Sequence, residues 1–591
     1  MDNKYNWDLS SLYSDRELIF QDIELAEKLA HDFETNYQSI KFTKTHLKSS
    51  LDEYFHILRI VEKPMTYAHH KLDESTIESD SIRLEAEVKT KVLKIYSTLS
   101  FYMPKLIEEI EVIKSSMELD EFKTYHQVLT EICLSGKFTL NQQSEKLLAD
   151  ASESLSQPSK IYEVLTNGDL KFDDVENSDG EAVAMSHGLY GAYLMSEDRV
   201  LRKNAFAEML GKFASLNLTL TTTYTGQITK DIFTVNTRGY NSTRHRALFS
   251  NNIDEVIYDN LLDVTKRNIK TNHDYVNLRK ELLGYDELHL YDMYVPLISE
   301  STNTYGYEQA QELVIAALSP LGSEYVALVK QAFAERWIDV YEREGKRSGA
   351  YSGGCYDSKP FILLNYTNTL NDVYTLAHEI GHSIHTYLAN HKQAYHNSDY
   401  VIFVAEIAST LNELLLTDYL LDIAESDSAR AGILNYKLEQ YRTTVIRQTM
   451  FADFEYESKK TFESGKKLAS EDLNAMYYNL NKLYFGDGVI IDDLIKYEWS
   501  RIPHFYYNYY VYQYATSFCY SVDIFNRIKQ DENFATKYLD FLSIGGSLPA
   551  IDSLATIDID ARSCEPYQSA FDDFADTLEK FKNIINLEDK C

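Results

Sequence analysis

The chain has 591 residues, of which 44% are hydrophobic, so it has enough apolar material for one very large core or several ordinary ones. It carries 91 acidic and 58 basic residues, which gives a formal net charge of −33. A negative field over the whole molecule repels nucleic-acid phosphates and anionic membranes, and we expect neither as a partner. Because the acidic residues alternate with Lys and Arg along helix-like stretches, we interpret them as solubilising surface charge.

The N-terminal segment and the cysteines indicate the compartment. The first nine residues lack the charged-then-apolar organisation of a secretory signal, and no segment has 18 consecutive apolar residues. The five cysteines are few, odd in number and widely scattered, which favours reduced thiols over a disulfide framework or a cysteine zinc cluster. We therefore predict a cytoplasmic protein. The cysteines are Cys133, Cys355, Cys519, Cys564 and Cys591.

Helical periodicity dominates the chain from its N-terminal part onward. Only 9 prolines and 22 glycines interrupt it, and apolar residues recur at three-and-four spacing over residues 18–33, 81–103, 201–216 and 428–462. We predict a mostly α-helical fold from this pattern. No Pro/Gly/Ser-rich linker and no fixed-period repeat separates autonomous domains, so the predicted boundaries are approximate.

The first break in the helical pattern predicts a short hairpin. Asn167-Gly168 and Asp179-Gly180 offer turn chemistry on either side of the strand-like residues 170–172.

The second break predicts a small β-sheet. Clustered glycines in residues 345–365 lead into the strand-like segment 361–365, which comes shortly before the most informative helix of the chain. From the two breaks we predict an N-terminal helical region (1–110), a helical lobe with the short hairpin (111–190) and a catalytic domain (191–591).

The motif His378-Glu379-Ile380-Gly381-His382 lies in this helical segment. Residues at i and i+4 project from one helical face, so both imidazoles can reach one Zn²⁺, while the glutamate can act as general base on a water at the metal. Apolar residues at helical spacing predict that the helix is buried; they are Val373, Leu376, Ala377, Ile380, Ile384 and Leu388.

A catalytic zinc site needs a third protein ligand besides the two histidines. A second zincin pattern would need a glycine at position 385 and a histidine at position 388, but the chain has His385 and Leu388. The spacing of thermolysin-like enzymes would place the ligand near Ile402, which cannot ligate. The next acidic residue, Glu406, has apolar neighbours that predict burial, which a metal would compensate; the alternative is a solvated helix residue. Glu413, seven residues further on the same face, is a candidate to hold a ligand in place.

The chain resembles the thimet oligopeptidase-like zinc metallopeptidases, and among them the oligoendopeptidase F branch. The resemblance implies a mostly α-helical clamshell with a deep central channel, and endopeptidase activity on short unstructured peptides. It also implies one Zn²⁺ per chain with His378, His382 and Glu406 as ligands, and Glu379 as catalytic base. The segments that carry it span the chain: residues 6–9, 167–172, 249–252, 291–296, 349–354, 376–383, 405–413 and 501–506.

An aromatic run at residues 504–514 supplies candidates to stabilise the oxyanion, because phenol O–H groups donate hydrogen bonds without bringing a charge. Most of these tyrosines are expected to pack in the core. By resemblance, His504, Tyr509 and Tyr512 take the catalytic roles. The spacing departs from that of the thimet oligopeptidase branch, so Tyr507 and Tyr514 remain alternative substrate-binding residues.

The glycine-rich loop before the motif helix is a second candidate for substrate binding. It lacks the Gly-Lys-Ser/Thr ending of a phosphate-binding loop and does not open directly into a helix. We expect Gly349, Tyr351, Gly353 and Asn365 to contact the peptide, with residues 361–365 as an edge strand that an extended peptide joins by main-chain hydrogen bonds. The alternative is an ordinary strand with a neighbour on both sides.

Three functions fit the sequence. The first is a zinc-dependent endopeptidase of short oligopeptides. The second is a zinc carboxypeptidase or dipeptidyl carboxypeptidase, which needs a cation such as that of Arg501 to hold the terminal carboxylate. The third is a catalytically silent helical peptide-binding protein, which is disfavoured because base and ligand positions are all filled by competent residues. The sequence makes no prediction of the oligomeric state.

Overall fold

The computed structural model describes residues 3–298 and 304–588, and within these ranges helices dominate, which confirms the predicted mostly α-helical class. The helices before residue 298 are α1 (Arg16–Tyr37), α2 (Lys44–Glu74), α3 (Ser79–Leu99), α4 (Tyr102–Glu108), α5 (Ile110–Ser116), α6 (His126–Ser135), α7 (Gln142–Leu155), α8 (Gln157–Val164), α9 (His187–Met195), α10 (Arg199–Ser215), α11 (Asn217–Arg238), α12 (Thr243–Phe249), α13 (Glu255–Arg267) and α14 (Ile269–Leu283).

The helices after residue 304 are α15 (Tyr307–Ala317), α16 (Gly322–Ala334), α17 (Leu370–Lys392), α18 (Ile402–Ile423), α19 (Asp427–Gln440), α20 (Arg447–Glu463), α21 (Ser470–Phe485), α22 (Tyr512–Gln530), α23 (Phe534–Leu542), α24 (Ala550–Ala555) and α25 (Glu565–Glu588). The strands are β1 (Val175–Glu176), β2 (Ala182–Val183), β3 (Ile338–Asp339), β4 (Tyr351–Gly353) and β5 (Phe361–Leu363). Among the described helices, none is by itself long and apolar enough to cross a membrane. The bent pair Tyr307–Ala317 and Ser319–Ala334 reaches that length and apolar composition only when its two helices are taken together.

The chain forms two compact units, each assembled from three stretches of sequence. The first unit takes the described residues of 1–142, 303–419 and 524–560, and the second takes those of 143–302, 420–523 and 561–591. Cys133, Cys355, Cys519 and Cys564 are free thiols, and Cys591 lies outside the described residues.

The four predicted helical windows all fall on helices. Residues 18–33 and 201–216 lie almost wholly within α1 and α10. Residues 81–103 run through α3 into the start of α4, and residues 428–462 cover α19 and α20 together with the helical turns between them. Three-and-four spacing is a local signal, and it located these helices to within a few residues.

The predicted hairpin exists, but its strands lie further along the chain than expected. Strand β1 pairs with β2 in antiparallel register around the turn at Asp179-Gly180, where Gly180 has a φ of +78°. Residues 170–172 form no strand, and Asn167-Gly168 belongs to a helical turn that closes with a hydrogen bond from Leu170 N to Leu165 O. The prediction of strand at 170–172 was therefore wrong, because the helix continues through the Asn-Gly pair.

The sheet beside the motif helix has three strands in the order β3-β5-β4. Strand β5 pairs in parallel with β3 and in antiparallel with β4, and its three residues are fully buried. The small sheet is thus confirmed, but the prediction that residues 361–365 form an edge strand was wrong. The edge position belongs to β4, which the glycine-rich loop supplies.

The first unit has a core in which helices α1 to α6 pack with the sheet. Trp7, from one of the segments that carries the family resemblance, is 2% exposed and meets Phe361 of β5 edge-on at 5.9 Å between ring centroids. The indole N–H of Trp7 donates to Glu74 Oε1 at 2.7 Å. The sheet that adjoins the motif helix is therefore anchored on its other side by the N-terminal segment.

Helices α17 and α18 cross at very short range. Helix α17 begins with a reciprocal capping box between Thr369 and Asp372, which satisfies backbone donors of its first turn. At Gly381 a Cβ atom would lie 2.6 Å from the carbonyl oxygen of Ala408 and 2.6 Å from the Cα of Ser409, distances that no side chain tolerates. The absence of a side chain at Gly381 therefore lets the two backbones approach.

We expect Gly381→Ala to destabilise the protein by about 1–3 kcal/mol, because both atoms that the new methyl group meets are backbone and cannot rotate away. The measurement is the midpoint of thermal unfolding of the metal-free protein. The matched control is Gly432→Ala in α19, where a Cβ meets open space and the helix gains propensity, so that its midpoint stays level or rises. Equal midpoints for both variants would contradict the close crossing.

Candidate metal centre

Three side chains from α17 and α18 converge on one point in the first unit. The Nε2 atoms of His378 and His382 lie 3.2 Å apart, and Glu406 Oε2 lies 3.6 Å from each of them. The i, i+4 spacing puts both histidines on the face of α17 that meets α18, and the close crossing at Gly381 brings Glu406 to them.

The triangle of donor atoms has the dimensions of a metal site. A tetrahedral Zn²⁺ with ligand bonds near 2.1 Å requires ligand atoms about 3.4 Å apart, and the three observed distances of 3.2, 3.6 and 3.6 Å bracket that value. Two imidazoles and one carboxylate are also the donor set of a catalytic zinc site with one position open. The residues present thus fit a divalent metal ion.

Two further side chains hold the ligands in place. The Nδ1 of His378 lies 2.6 Å from Glu413 Oε1, so that the carboxylate fixes the ring and leaves Nε2 to the metal. Ser409 donates its hydroxyl to Glu406 Oε2 at 3.2 Å. Glu413 was predicted from its place on the helical face, whereas Ser409 was missed. The sequence could have indicated Ser409, because it follows Glu406 by three residues and this spacing on a helix places the hydroxyl beside the carboxylate.

The electrostatics of the centre favour a bound cation. Burial lowers the pKa of His378, but the hydrogen bond and charge of Glu413 outweigh it and raise the pKa to about 9. Burial, together with the charge on His378, holds the pKa of His382 well below its usual value. His382 is therefore held neutral, as a metal ligand must be. The carboxylates of Glu406 and Glu413 leave negative charge at the site, which a divalent cation would balance.

Glu379 is placed to act as a base. Its side chain is 6% exposed, and its Oε2 atom has no hydrogen-bond partner in the described part of the chain. Burial raises the pKa of Glu379 to about 7, and the nearby charges of Glu406 and Glu413 act in the same direction. A carboxylate of this kind readily takes and returns a proton near neutral pH.

The glycine-rich loop is fastened beside the motif helix. Ser352 of β4 lies 2.8 Å from Ser383 of α17, hydroxyl to hydroxyl. Tyr351 donates its phenol to Asp73 Oδ2 at 2.6 Å, and Asn365 Nδ2 donates to the carbonyl oxygen of Gly349 at 2.8 Å. The side chains of Tyr351 and Asn365 thus make hydrogen bonds within the fold, and their contact with substrate stays a prediction.

The two glycines of the loop that were expected to contact the peptide, Gly349 and Gly353, differ in exposure. Gly349 is exposed with a φ of +87° and open space where a Cβ would lie. Gly353 is half-buried on the edge strand, close to Tyr351 and His70. The contact of both glycines with a peptide stays a prediction, as does that of the loop's side chains.

The aromatic run folds within the second unit, and three of its tyrosines are interior, Tyr506 and the two that were expected to be catalytic. Tyr509 is 3% exposed, donates or accepts a hydrogen bond with Thr243 Oγ1 at 3.3 Å, and lies under the ammonium of Lys459. Tyr512 is 2% exposed and packs against the ring of Tyr258 at 5.1 Å. Both were expected to be catalytic by resemblance; their phenols are enclosed within the second unit, and the catalytic role stays a prediction.

Three other tyrosines of the run, Tyr507, Tyr510 and Tyr514, form a partly exposed cluster with His504, which we call the His504 cluster. The His504 ring stacks at 5.8 Å from Tyr510 and meets Tyr507 and Tyr514 edge-on at 5.7 and 6.2 Å. Tyr507 is 53% exposed. Asn508 and Tyr509 both have positive φ, at +54° and +53°, so that the backbone reverses here and turns alternate tyrosines outward. Tyr510 was missed because the sequence does not show this reversal.

The comparisons with known proteins agree with this geometry. Residues 192–573 match the family model of Peptidase family M3, and residues 109–172 match that of Oligopeptidase F. Oligopeptidase PepF of Bacillus subtilis (strain 168) is 37% identical over 582 residues, which cover 98% of this chain and 87% of that protein. Group B oligopeptidase PepB of Streptococcus agalactiae serotype III is 35% identical, with 99% and 98% covered. The crystal structure of oligoendopeptidase-F from Enterococcus faecium has a TM-score of 0.74 at 30% identity, with 96% and 98% covered.

A family model that spans most of the chain, relatives that match over nearly their whole length, and a triangle of possible metal ligands from α17 and α18 lead to the same assignment. The chain belongs to peptidase family M3, in its oligoendopeptidase F branch, and is a metallo-oligopeptidase.

Proposed function

We propose that the protein is a zinc-dependent endopeptidase that hydrolyses internal bonds of short, unstructured oligopeptides. The observation that carries the proposal is the donor triangle of His378, His382 and Glu406 with the buried Glu379 beside it on the same helix. The names of its relatives, which include oligopeptidases and oligoendopeptidases, support peptides as the substrate class. A cytoplasmic location and one Zn²⁺ per chain remain predictions from the sequence.

The residues of the centre divide the reaction between them. When bound, Zn²⁺ supplies a Lewis acid that lowers the pKa of a water molecule and polarises the scissile carbonyl. Glu379 removes the proton from the attacking water and delivers it to the leaving amine. Glu413 keeps the His378 ring oriented, and Ser409 keeps Glu406 in place, so that the ligand set does not reorganise during the reaction.

The role of Glu379 as the base can be tested with one substitution. We expect Glu379→Gln to lower kcat by about 10²–10⁴-fold, because the amide has the same shape but cannot accept a proton. The substrate is an internally quenched peptide blocked at both ends, so that an exopeptidase cannot act on it. Metal content per chain is measured on the same samples.

The outcomes are distinct. Cleavage of the blocked peptide that is lost on chelation, restored by Zn²⁺ and abolished in the metal-loaded Glu379→Gln protein supports an endopeptidase. Cleavage confined to peptides with a free C-terminus would replace the proposal with a carboxypeptidase or a dipeptidyl carboxypeptidase. Stoichiometric zinc with neither activity would leave a silent binder.

The carboxylate of Glu413, which contacts the predicted ligand His378, can be tested in the same way. We expect Glu413→Gln to weaken zinc binding by about 10–100-fold, because a neutral amide accepts the Nδ1–H of His378 more weakly than a carboxylate and makes the ring a poorer ligand. Bound zinc stabilises the folded state, so the gain in unfolding temperature on adding zinc should shrink in this variant. The matched control is Asp422→Asn, an exposed acidic residue of the same helix. An unchanged zinc affinity in Glu413→Gln would show that the contact to His378 is not functional.

Four substitutions distinguish the partly exposed tyrosines around His504 from the buried Tyr509 and Tyr512. We propose that the His504 cluster, and not Tyr509 or Tyr512, contacts the peptide. We expect Tyr514→Phe and Tyr510→Phe to lower kcat/KM by about tenfold or more, which is the size of one lost hydrogen bond to a developing charge. Tyr509→Phe and Tyr512→Phe should alter the unfolding temperature more than kcat/KM, because these phenols are enclosed. The reverse pattern would restore the assignment made by resemblance.

A further inference from the structure

A second region of unusual charge lies in the interior of the second unit. Here a cavity of about 250 Å³ is lined by three arginines, Arg442, Arg447 and Arg501, together with Glu498. The remaining wall is largely apolar, with Leu194 among its residues. The volume is below that of drug-sized pockets, so the cavity suits a small molecule or the end of a longer one.

Two of the arginines that line this space have buried donor atoms without a hydrogen-bond partner among the described residues. Arg442 is fully buried and donates Nε and Nη2 to Glu439, but its Nη1 has no partner in residues 3–298 and 304–588. Arg501 stacks over the ring of Tyr190 at 5.0 Å, and its buried Nε is likewise unpartnered within the described chain. Buried guanidinium donors are ordinarily hydrogen-bonded. The Nε atoms of Arg202 and Arg279 are also unpartnered within the described chain, but neither residue lines the cavity, so it is the combination of unused donors and open space that indicates a ligand.

The local charges do not balance. Glu439 is shared between Arg442 and Arg279, which donates to it at 2.9 Å. Glu498 accepts from Arg447 at 2.8 Å through Oε1 and from the phenol of Tyr477 at 2.6 Å through Oε2. Arg501 therefore finds no carboxylate oxygen of its own, and four guanidinium groups share two carboxylates. An anion would remove the excess positive charge.

The rest of the lining specifies what kind of anion. Asn481 donates its amide to the carbonyl oxygen of Tyr477, while its own Oδ1 is buried and unpartnered in the part of the chain that the structure describes. The cavity thus offers guanidinium donors for a carboxylate, an acceptor for an N–H group and an apolar wall for a hydrocarbon side chain. Exposed Gly191 and half-exposed Met195 form its outer rim.

We propose that this cavity binds the free C-terminal residue of a short peptide or an N-acylated amino acid. The carboxylate lies against Arg442 and Arg501, the N–H donates to Asn481, and the side chain packs on the apolar wall. Guanidinium groups match carboxylates in geometry as well as in charge, which favours this end of a peptide over its ammonium end. The site is independent of the donor triangle, and its occupancy does not depend on the proposed zinc chemistry.

The test is calorimetric titration of the full-length protein with N-acetyl-L-leucine, repeated after zinc has been removed by chelation. We expect saturable binding in both states, and at least about tenfold weaker binding of the neutral N-acetyl-L-leucinamide, because the amide forms no charged hydrogen bond. Loss of binding on chelation would overturn the proposal, since the acid would then be a ligand of the metal.

Two variants locate the site. Arg501→Gln removes an unpartnered cation, and Met195→Trp narrows the rim without touching the charged groups; each should weaken binding of N-acetyl-L-leucine by about tenfold or more. Unchanged affinity in both variants would overturn the proposal even if one of them folded poorly. Sodium phosphate that competes as strongly as N-acetyl-L-leucine would also overturn it, in favour of a simple inorganic anion site. Titration with Ala-Leu shows whether the C-terminal residue of a peptide binds as well as an N-acylated amino acid does. Free leucine, which has no amide N–H, should bind more weakly than either.

Discussion

The close crossing of α17 and α18 is the constraint on which the metal centre depends. Gly381 sits between the two histidines, and any side chain there would strike the backbone at Ala408 and Ser409. Only at this separation does the side chain of Glu406 reach both imidazoles at 3.6 Å. The same crossing aligns Glu413 with the far nitrogen of His378. The two histidines of α17, and the ligand and supporting carboxylates of α18, are thus positioned by the residue that has no side chain.

The sequence predicted what depends on local spacing. Helix positions, the i, i+4 histidine pair and the seven-residue separation of Glu406 and Glu413 follow from 3.6 residues per turn, and the structure places all four side chains together. The small sheet next to the motif helix was also predictable from composition. These features need no knowledge of which distant segments meet.

The rest depends on contacts between segments far apart in the chain. Whether residues 361–365 form an edge or a central strand is decided by β3, which comes from earlier in the chain. Whether Tyr509 faces inward is decided by a backbone reversal with positive φ, and by partners such as Thr243. The hydroxyl of Ser409 matters only because Glu406 turns toward α17. One-dimensional patterns carry none of this information.

Two buried charged side chains of this protein keep unused hydrogen-bonding atoms next to a candidate site. Lys346 is nearly as buried as Arg442, yet its ammonium donates to the backbone carbonyls of Asp339, Tyr341 and Leu364 and pairs with the Asp339 carboxylate, so that nothing is left for a ligand. Arg442 instead keeps an unused donor beside a cavity, and Glu379 keeps an unused acceptor beside the donor triangle. Leaving such a group unpaired destabilises the fold, and the proposed functions supply a partner from solution in both places, the attacking water for Glu379 and an anion for Arg442.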